Sequence, residues 1–175
     1  MRRRSAWWAA AIALAIAVAG VAWRWGQGEE DDEARVRRLV DGSAAAVASR
    51  DVNGVVAPLS ERFRGHGLDR AGAKQLVAYE VLRGAWASAM VAGATVAVDG
   101  DRAAAQVDAV LSRAAGRGKA LAELLPGEGT AHRFALRLER EADGWRVVEA
   151  AWRPITLAEA LAGPPPAELA PAPDR

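Results

Sequence analysis

The sequence predicts an α+β domain, helices first and an antiparallel sheet after, carried behind a membrane-spanning helix. Three observations predict it. Apolar residues recur at helical spacing as far as Trp86, and alternation of period two takes over from Thr95. Near the start, Ala6 to Trp23 is an unbroken run of 18 uncharged residues.

That run measures about 27 Å as a helix at ~1.5 Å per residue, close to a hydrocarbon core of about 30 Å. Trp7 and Trp8 stand at one end and Trp23 and Trp25 at the other, as interfacial belts require. Arg2, Arg3 and Arg4 precede it and acids follow. The positive-inside bias therefore places the N-terminus in the cytoplasm and the rest outside. A second reading stands beside this one. Ala17-Val18-Ala19 is a small-residue cleavage pattern, which would make residues 1–25 a signal peptide with Gly20 as the first mature residue. Both readings export the domain. The paired tryptophans favour a retained signal-anchor spanning the membrane through residues 6–23. Residues 26–33 then form a polar linker, 34–155 the domain, and 156–175 a proline-rich tail.

Within the domain, Val36, Leu39, Val40, Ser43, Ala46 and Val47 share one helical face. Asp51 is placed to cap a short second helix and Asp69 a third, DRAGAKQLVAYEVLRGAW, with Leu76, Val77, Tyr79 or Glu80, and Leu82 at helical spacing. The stretch SERFRGHG between them reads as an irregular or short-strand connection. Asp99-Gly100-Asp101 and Asp143-Gly144 are hairpin signals. Around them lie four strands, the third with His132, Phe134, Leu136 and Leu138 on one face and Arg133, Arg137 and Glu139 on the other. In the fourth, Val148, Ala150 and Trp152 point one way and Pro154 ends the run. Helices then pack on one face of a four-strand meander. Residues 115–129 are too long for a plain hairpin.

Composition narrows the function. There is no cysteine, which excludes disulfides and thiolate metal sites. Setting aside Arg2, Arg3, Arg4 and Arg24 from 23 Lys and Arg leaves 19 against 22 acids, a net of about −3. A mildly acidic domain without a basic stripe is a poor binder of nucleic acid. Two distant histidines make no zinc site, and Glu29 to Glu33 lacks the spacing of a calcium loop. Gly116-Arg117-Gly118-Lys119 lacks the spacing and the Ser/Thr of a phosphate loop. No metal or cofactor is expected.

The order of EARVRRLVDGSAAAVASRDVNGVVAPLSERFR, GLDRAGAKQLV, VDGDRAAAQV and FALRLEREADGWRVVEAAWRP resembles the nuclear-transport-factor-2-like superfamily, including its SnoaL-like members, over about residues 30–155. The resemblance implies a strongly curved antiparallel sheet wrapped on a long helix, a cone-shaped, cystatin-like roll with a pocket. It also implies that an acid, histidine or tyrosine inside the cone carries the chemistry of the enzymes among those proteins. Here the inward candidates are Tyr79, Trp86, His132, Phe134 and Trp152, with His132 the one candidate base. Asp108 and Glu149 would become its partners if the strand register shifts by one. His66, between two glycines, has two readings, a residue at the pocket mouth or a plain surface-loop residue, and the second is favoured.

A lone histidine on an apolar face is more often structural than catalytic, so the expected function is non-catalytic. The alanine- and arginine-rich composition suggests a GC-rich bacterial genome, and with the anchor it leads to the expectation of an inner-membrane chain whose domain lies in the periplasm. There it is expected to serve as a binding or accessory domain, with an envelope protein partner or a homodimer through the sheet. In architecture it resembles the assembly factor of type IV secretion systems and proteins associated with lipid-import complexes. Two alternatives remain open at this point: an isomerase- or hydrolase-like enzyme using His132, and a carrier of apolar ligands, which needs an open pocket of about 300 Å³ or more.

Overall fold

A computed structural model describes residues 32–84, 86–113 and 129–169. The proposed membrane segment 6–23, the cleavage pattern, the Gly116–Lys119 run and nearly all of the 115–129 loop lie outside them. No described helix is long and apolar enough to cross a membrane.

Helix α1 (32–48) buries the stripe that its sequence predicts, with Val36, Val40, Ala46 and Val47 out of solvent. Asp51 caps α2 (Val52–Val56), its Oδ1 accepting from the Gly54 amide at 3.0 Å. Strand β1 (Leu59–Arg64) follows. Asp69 then caps α3 (Arg70–Leu82), its Oδ1 accepting from the Gly72 amide at 2.8 Å. Strands β2 (Ser88–Asp99), β3 (Arg102–Ser112), β4 (Gly129–Glu141) and β5 (Gly144–Ile155) form the meander. The Gly100-Asp101 and Ala142-Asp143 turns join β2 to β3 and β4 to β5. Helix α4 (Leu157–Ala162) completes the described order.

The sheet has five strands in the order β1-β5-β4-β3-β2, and β1 runs parallel to β5. It is therefore mixed, not the antiparallel four-strand sheet expected. The reason is local. Buried Ser60 and Phe63 are three residues apart, and the Ser60 hydroxyl accepts from the Arg62 amide at 3.0 Å. That irregularity breaks the alternation by which a strand is recognised.

Three further expectations are corrected. Helices do not keep to one face. A capping box closes α4, in which Thr156 Oγ1 accepts from the Glu159 amide and Glu159 accepts from the Thr156 amide. Ala160 and Leu157 then pack on the back of the sheet against Val110, Ala131 and Ile155. Residues 156–162 are thus no tail, and the extended stretch 163–169 continues along β2, where Thr95 donates to the Pro165 carbonyl at 2.7 Å. Gly93 allows that approach, since a Cβ there would meet Pro164 Cδ at 2.8 Å. Finally, β5 runs through Pro154 to Ile155, and a bulge opposite Arg137 and Leu138 gives Val148 no partner. Val147, not Val148, joins Ala150 on the helix-facing side.

The main core lies between α1, α3 and this front face, built from Val36, Val40, Phe63, Val107, Leu138, Trp145 and Val147. One end is clamped by Asp32 at the start of α1. Its carboxylate accepts from Arg140 and Arg35 and from the Trp145 indole, with Arg140 stacked 4.7 Å above the Trp145 ring. Burial alone would raise the Asp32 carboxyl, but the Arg140 and Trp145 hydrogen bonds outweigh it and hold the group below its ordinary value.

Candidate functional site

Beyond that clamped end the front face does not close on the helices. A cavity of about 390 Å³ remains between them. Helix α1 supplies Leu39, Val40, Ser43 and Val47; α3 supplies Ala73, Leu76, Val77 and Glu80. These positions fall at helical spacing, so each helix turns one stripe inward. The floor is the sheet: Val107, Ala109 and Leu111 of β3, then His132, Phe134 and Leu136 of β4, then Ala150 and Trp152 of β5. Small side chains there explain the space, because Ala73, Ala109 and Ala150 reach less far than the Leu or Phe that would fill a core of this width.

The structure brings four of the five candidate residues to the lining of this cavity: Trp86, His132, Phe134 and Trp152. Tyr79 is not among them. It is 60% exposed, its hydroxyl accepts from Arg83 at 2.6 Å, and the Arg83 guanidinium lies 4.8 Å from its ring. One residue along a helix is a rotation of about 100°, and the inward position belongs to Glu80. Trp86 also departs from expectation. Gly84, at φ +76°, ends α3 after Arg83, so Trp86 reaches the cavity from the following turn, its amide donating to the Glu80 carbonyl at 3.2 Å.

His132 faces inward, as its strand pattern predicts. Its Nε2 lies 3.2 Å from the Thr130 hydroxyl, and burial lowers its pKa, so the ring is neutral at pH 7. Neither carboxylate considered as its partner serves. Register pairs His132 with Ala109 and leaves Asp108 opposite Arg133 on the back face. Asp108 is fully buried there, accepting from Arg133 Nε at 2.6 Å and Nη2 at 2.7 Å, while the same Nη2 donates to the Gly163 carbonyl at 3.1 Å. Glu149 is exposed and pairs with Arg137 at 2.9 Å. An orienting acid for a histidine base is thus missing among the described partners of His132.

His66 has a definite task in its loop. Held at φ +48°, it stacks 4.0 Å from the Trp152 ring, and its Nε2 accepts the Trp152 amide at 3.0 Å. His132, Phe134, Trp152 and His66 then form a continuous band of rings, with spacings of 6.4, 6.3 and 4.0 Å. No cluster of His, Asp and Glu able to hold a metal occurs among the described residues.

Neither a family model nor a curated protein matches the chain. Solved structures do. A nuclear-transport-factor-2-like protein with a cystatin-like fold from Novosphingobium aromaticivorans superposes with a TM-score of 0.57 at 21% identity, covering 75% of this chain and 86% of its own. One of unknown function from Pseudomonas putida KT2440 gives 0.56 at 19%, covering 70% and 86%. A candidate dehydratase of the same family from Streptomyces avermitilis gives 0.55 at 14%, covering 73% and 98%. The described domain therefore has the α+β, cystatin-like fold of the nuclear-transport-factor-2-like proteins.

Proposed function

We propose that the chain is held in a membrane by residues 6–23, with its domain exported, and that the domain binds an apolar small molecule without transforming it. The cavity carries this reading. At about 390 Å³ it exceeds the volume a small-molecule site needs. Its wall is almost wholly aliphatic and aromatic, and burying a ligand's apolar surface there contributes about 25 cal/mol per Å² before the costs of binding are met. His132, with the Thr130 hydroxyl as its neighbour and no carboxylate among its described partners to orient it, supports a binding role over a base. Tethering beside a bilayer would keep such a site next to a reservoir of apolar molecules.

The test uses the intact chain extracted from membranes in a nonionic detergent. Its N-terminal mass should retain residues before Ala6, and a chain starting at Gly20 would remove the anchor. Calorimetric titration with butylbenzene should then give a saturable, one-to-one isotherm over the detergent background. Ala109→Trp, which fills the floor of the cavity, should abolish it while the variant still melts cooperatively. Equal heats from both proteins would place the probe elsewhere and end the reading.

A further inference from the structure

Glu80 is the odd member of the cavity wall. It occupies the fourth position of the stripe Ala73, Leu76, Val77, Glu80, where the helix otherwise presents apolar side chains inward. It lies in the last turn of α3, where the negative end of the helix macrodipole disfavours a carboxylate. Among the described residues it has no hydrogen bond or ion pair from its side chain. The cation three residues on, Arg83, is turned away to Tyr79. An apolar stripe and the negative end of the helix dipole are both poor surroundings for a lone carboxylate.

The rest of the wall sharpens the point. Among the described lining residues none is Lys, Arg or Asp, and Glu80 is the one formal charge. Among these residues an anionic ligand would meet repulsion with no compensating cation. A cationic one would meet the carboxylate in a lining that also holds Trp86, whose amide donates to the Glu80 carbonyl and whose indole can take a cation on its face.

We propose that the cavity selects an amphiphilic amine, its ammonium held at Glu80 and Trp86 and its apolar body lying along Phe134 and Trp152. This rests on the cavity being a ligand site. A ligand cation would supply the partner that the carboxylate lacks among the described residues, which accounts for Glu80 where the helical pattern calls for leucine or alanine.

Three probes of one shape separate the two claims at pH 7: 4-phenylbutylamine, 4-phenylbutyrate and butylbenzene, each titrated calorimetrically into the intact chain. The amine should bind at least about tenfold more tightly than the acid, as a charge-assisted hydrogen bond implies. Glu80→Gln, checked by a cooperative melt, should bring the amine-to-acid ratio toward one. If butylbenzene binds but the amine is no tighter than the acid, the selectivity for amines is wrong and the apolar site stands. A preference for the amine that survives Glu80→Gln also overturns the inference. If none of the three binds, both fall together. The comparison of amine with acid on the unmodified chain decides the matter even if the variant does not fold.

Discussion

The two faces of the sheet are built from the same strands and use opposite physics. On the front, β3, β4 and β5 turn Val107, Ala109, Phe134, Leu136 and Ala150 toward the helices and leave space between. On the back, alternate residues of the same strands carry Asp108, Arg133, Arg137 and Glu149, and these are paired. The back is therefore held by charge together with the small apolar patch under α4, and the front by apolar contact. The lesson is that the back face fixes what must not move, the register and α4, so the front can remain open without the sheet collapsing onto α1.

The comparison breaks most visibly at Asp108. Replacing it by alanine leaves the Arg133 guanidinium without its bidentate partner beside a sealed surface, and breaking a buried pair in this way costs about 3–5 kcal/mol. Urea unfolding of Asp108→Ala should show a loss of that size, with faster proteolysis of 157–169, since Arg133 also holds the Gly163 carbonyl. Converting both partners to apolar residues, Asp108→Leu with Arg133→Met, should recover most of the stability. A loss below about 1 kcal/mol for Asp108→Ala would mean that the back is not the rigid side.

Acid probes the helix-facing side next, with a smaller effect, at the cavity through His132 and at the clamped end through Asp32. On the front, burial lowers the His132 pKa, so the unfolded chain takes up a proton first, near pH 6.5. Its contribution is whole above that value and is lost as pH falls toward the lowered folded one. Asp32 has the opposite chemistry and the same sign. Its carboxyl is held low by Arg140 and Trp145, so its contribution is present above about pH 4 and disappears as pH falls through the folded value. Thermal melts between pH 7.5 and 3 should therefore fall in two steps. His132→Gln should flatten the upper step and Asp32→Asn the lower. An upper step that persists unchanged in His132→Gln would show that burial of this ring is not its source.

Much of this was legible before any coordinates. The α1 stripe, both aspartate caps, the two hairpins and the inward face of β4 follow from local spacing, because one element's own period decides them. What was not legible depends on partners distant in sequence or on breaks of period. The Asp108–Arg133 pair spans 25 residues and exists by virtue of β3–β4 register. Strand β1 was obscured by its Ser60–Phe63 irregularity, and Val147 exchanged places with Val148 through a bulge in β5. Helix α4 did carry a readable sign, Thr156 followed three residues later by Glu159, hidden beside the prolines that come after. At the site, Tyr79 and Glu80 were competing choices for one inward position. Hydropathy favoured the tyrosine, while Arg83 one turn on, able to stack on it and donate to its hydroxyl, was the signal that drew it outward.

The smallest effect sharpens the comparison by limiting it. Arg137 and Glu149 also pair across β4 and β5 on the back, at 2.9 Å, but both side chains are about half exposed. Water screens each charge in the folded state and solvates it fully once the pair is broken, so neither is stranded as Arg133 would be. Arg137→Ala should therefore cost less than about 1 kcal/mol, and added salt should narrow the gap from the unmodified chain. If urea unfolding gave it a cost near that of Asp108→Ala, mere pairing would be sufficient to stiffen the back and burial would be incidental. The distinction drawn between the faces requires the reverse: the ion pair sealed beneath Gly163 fixes register, and the one in water does little.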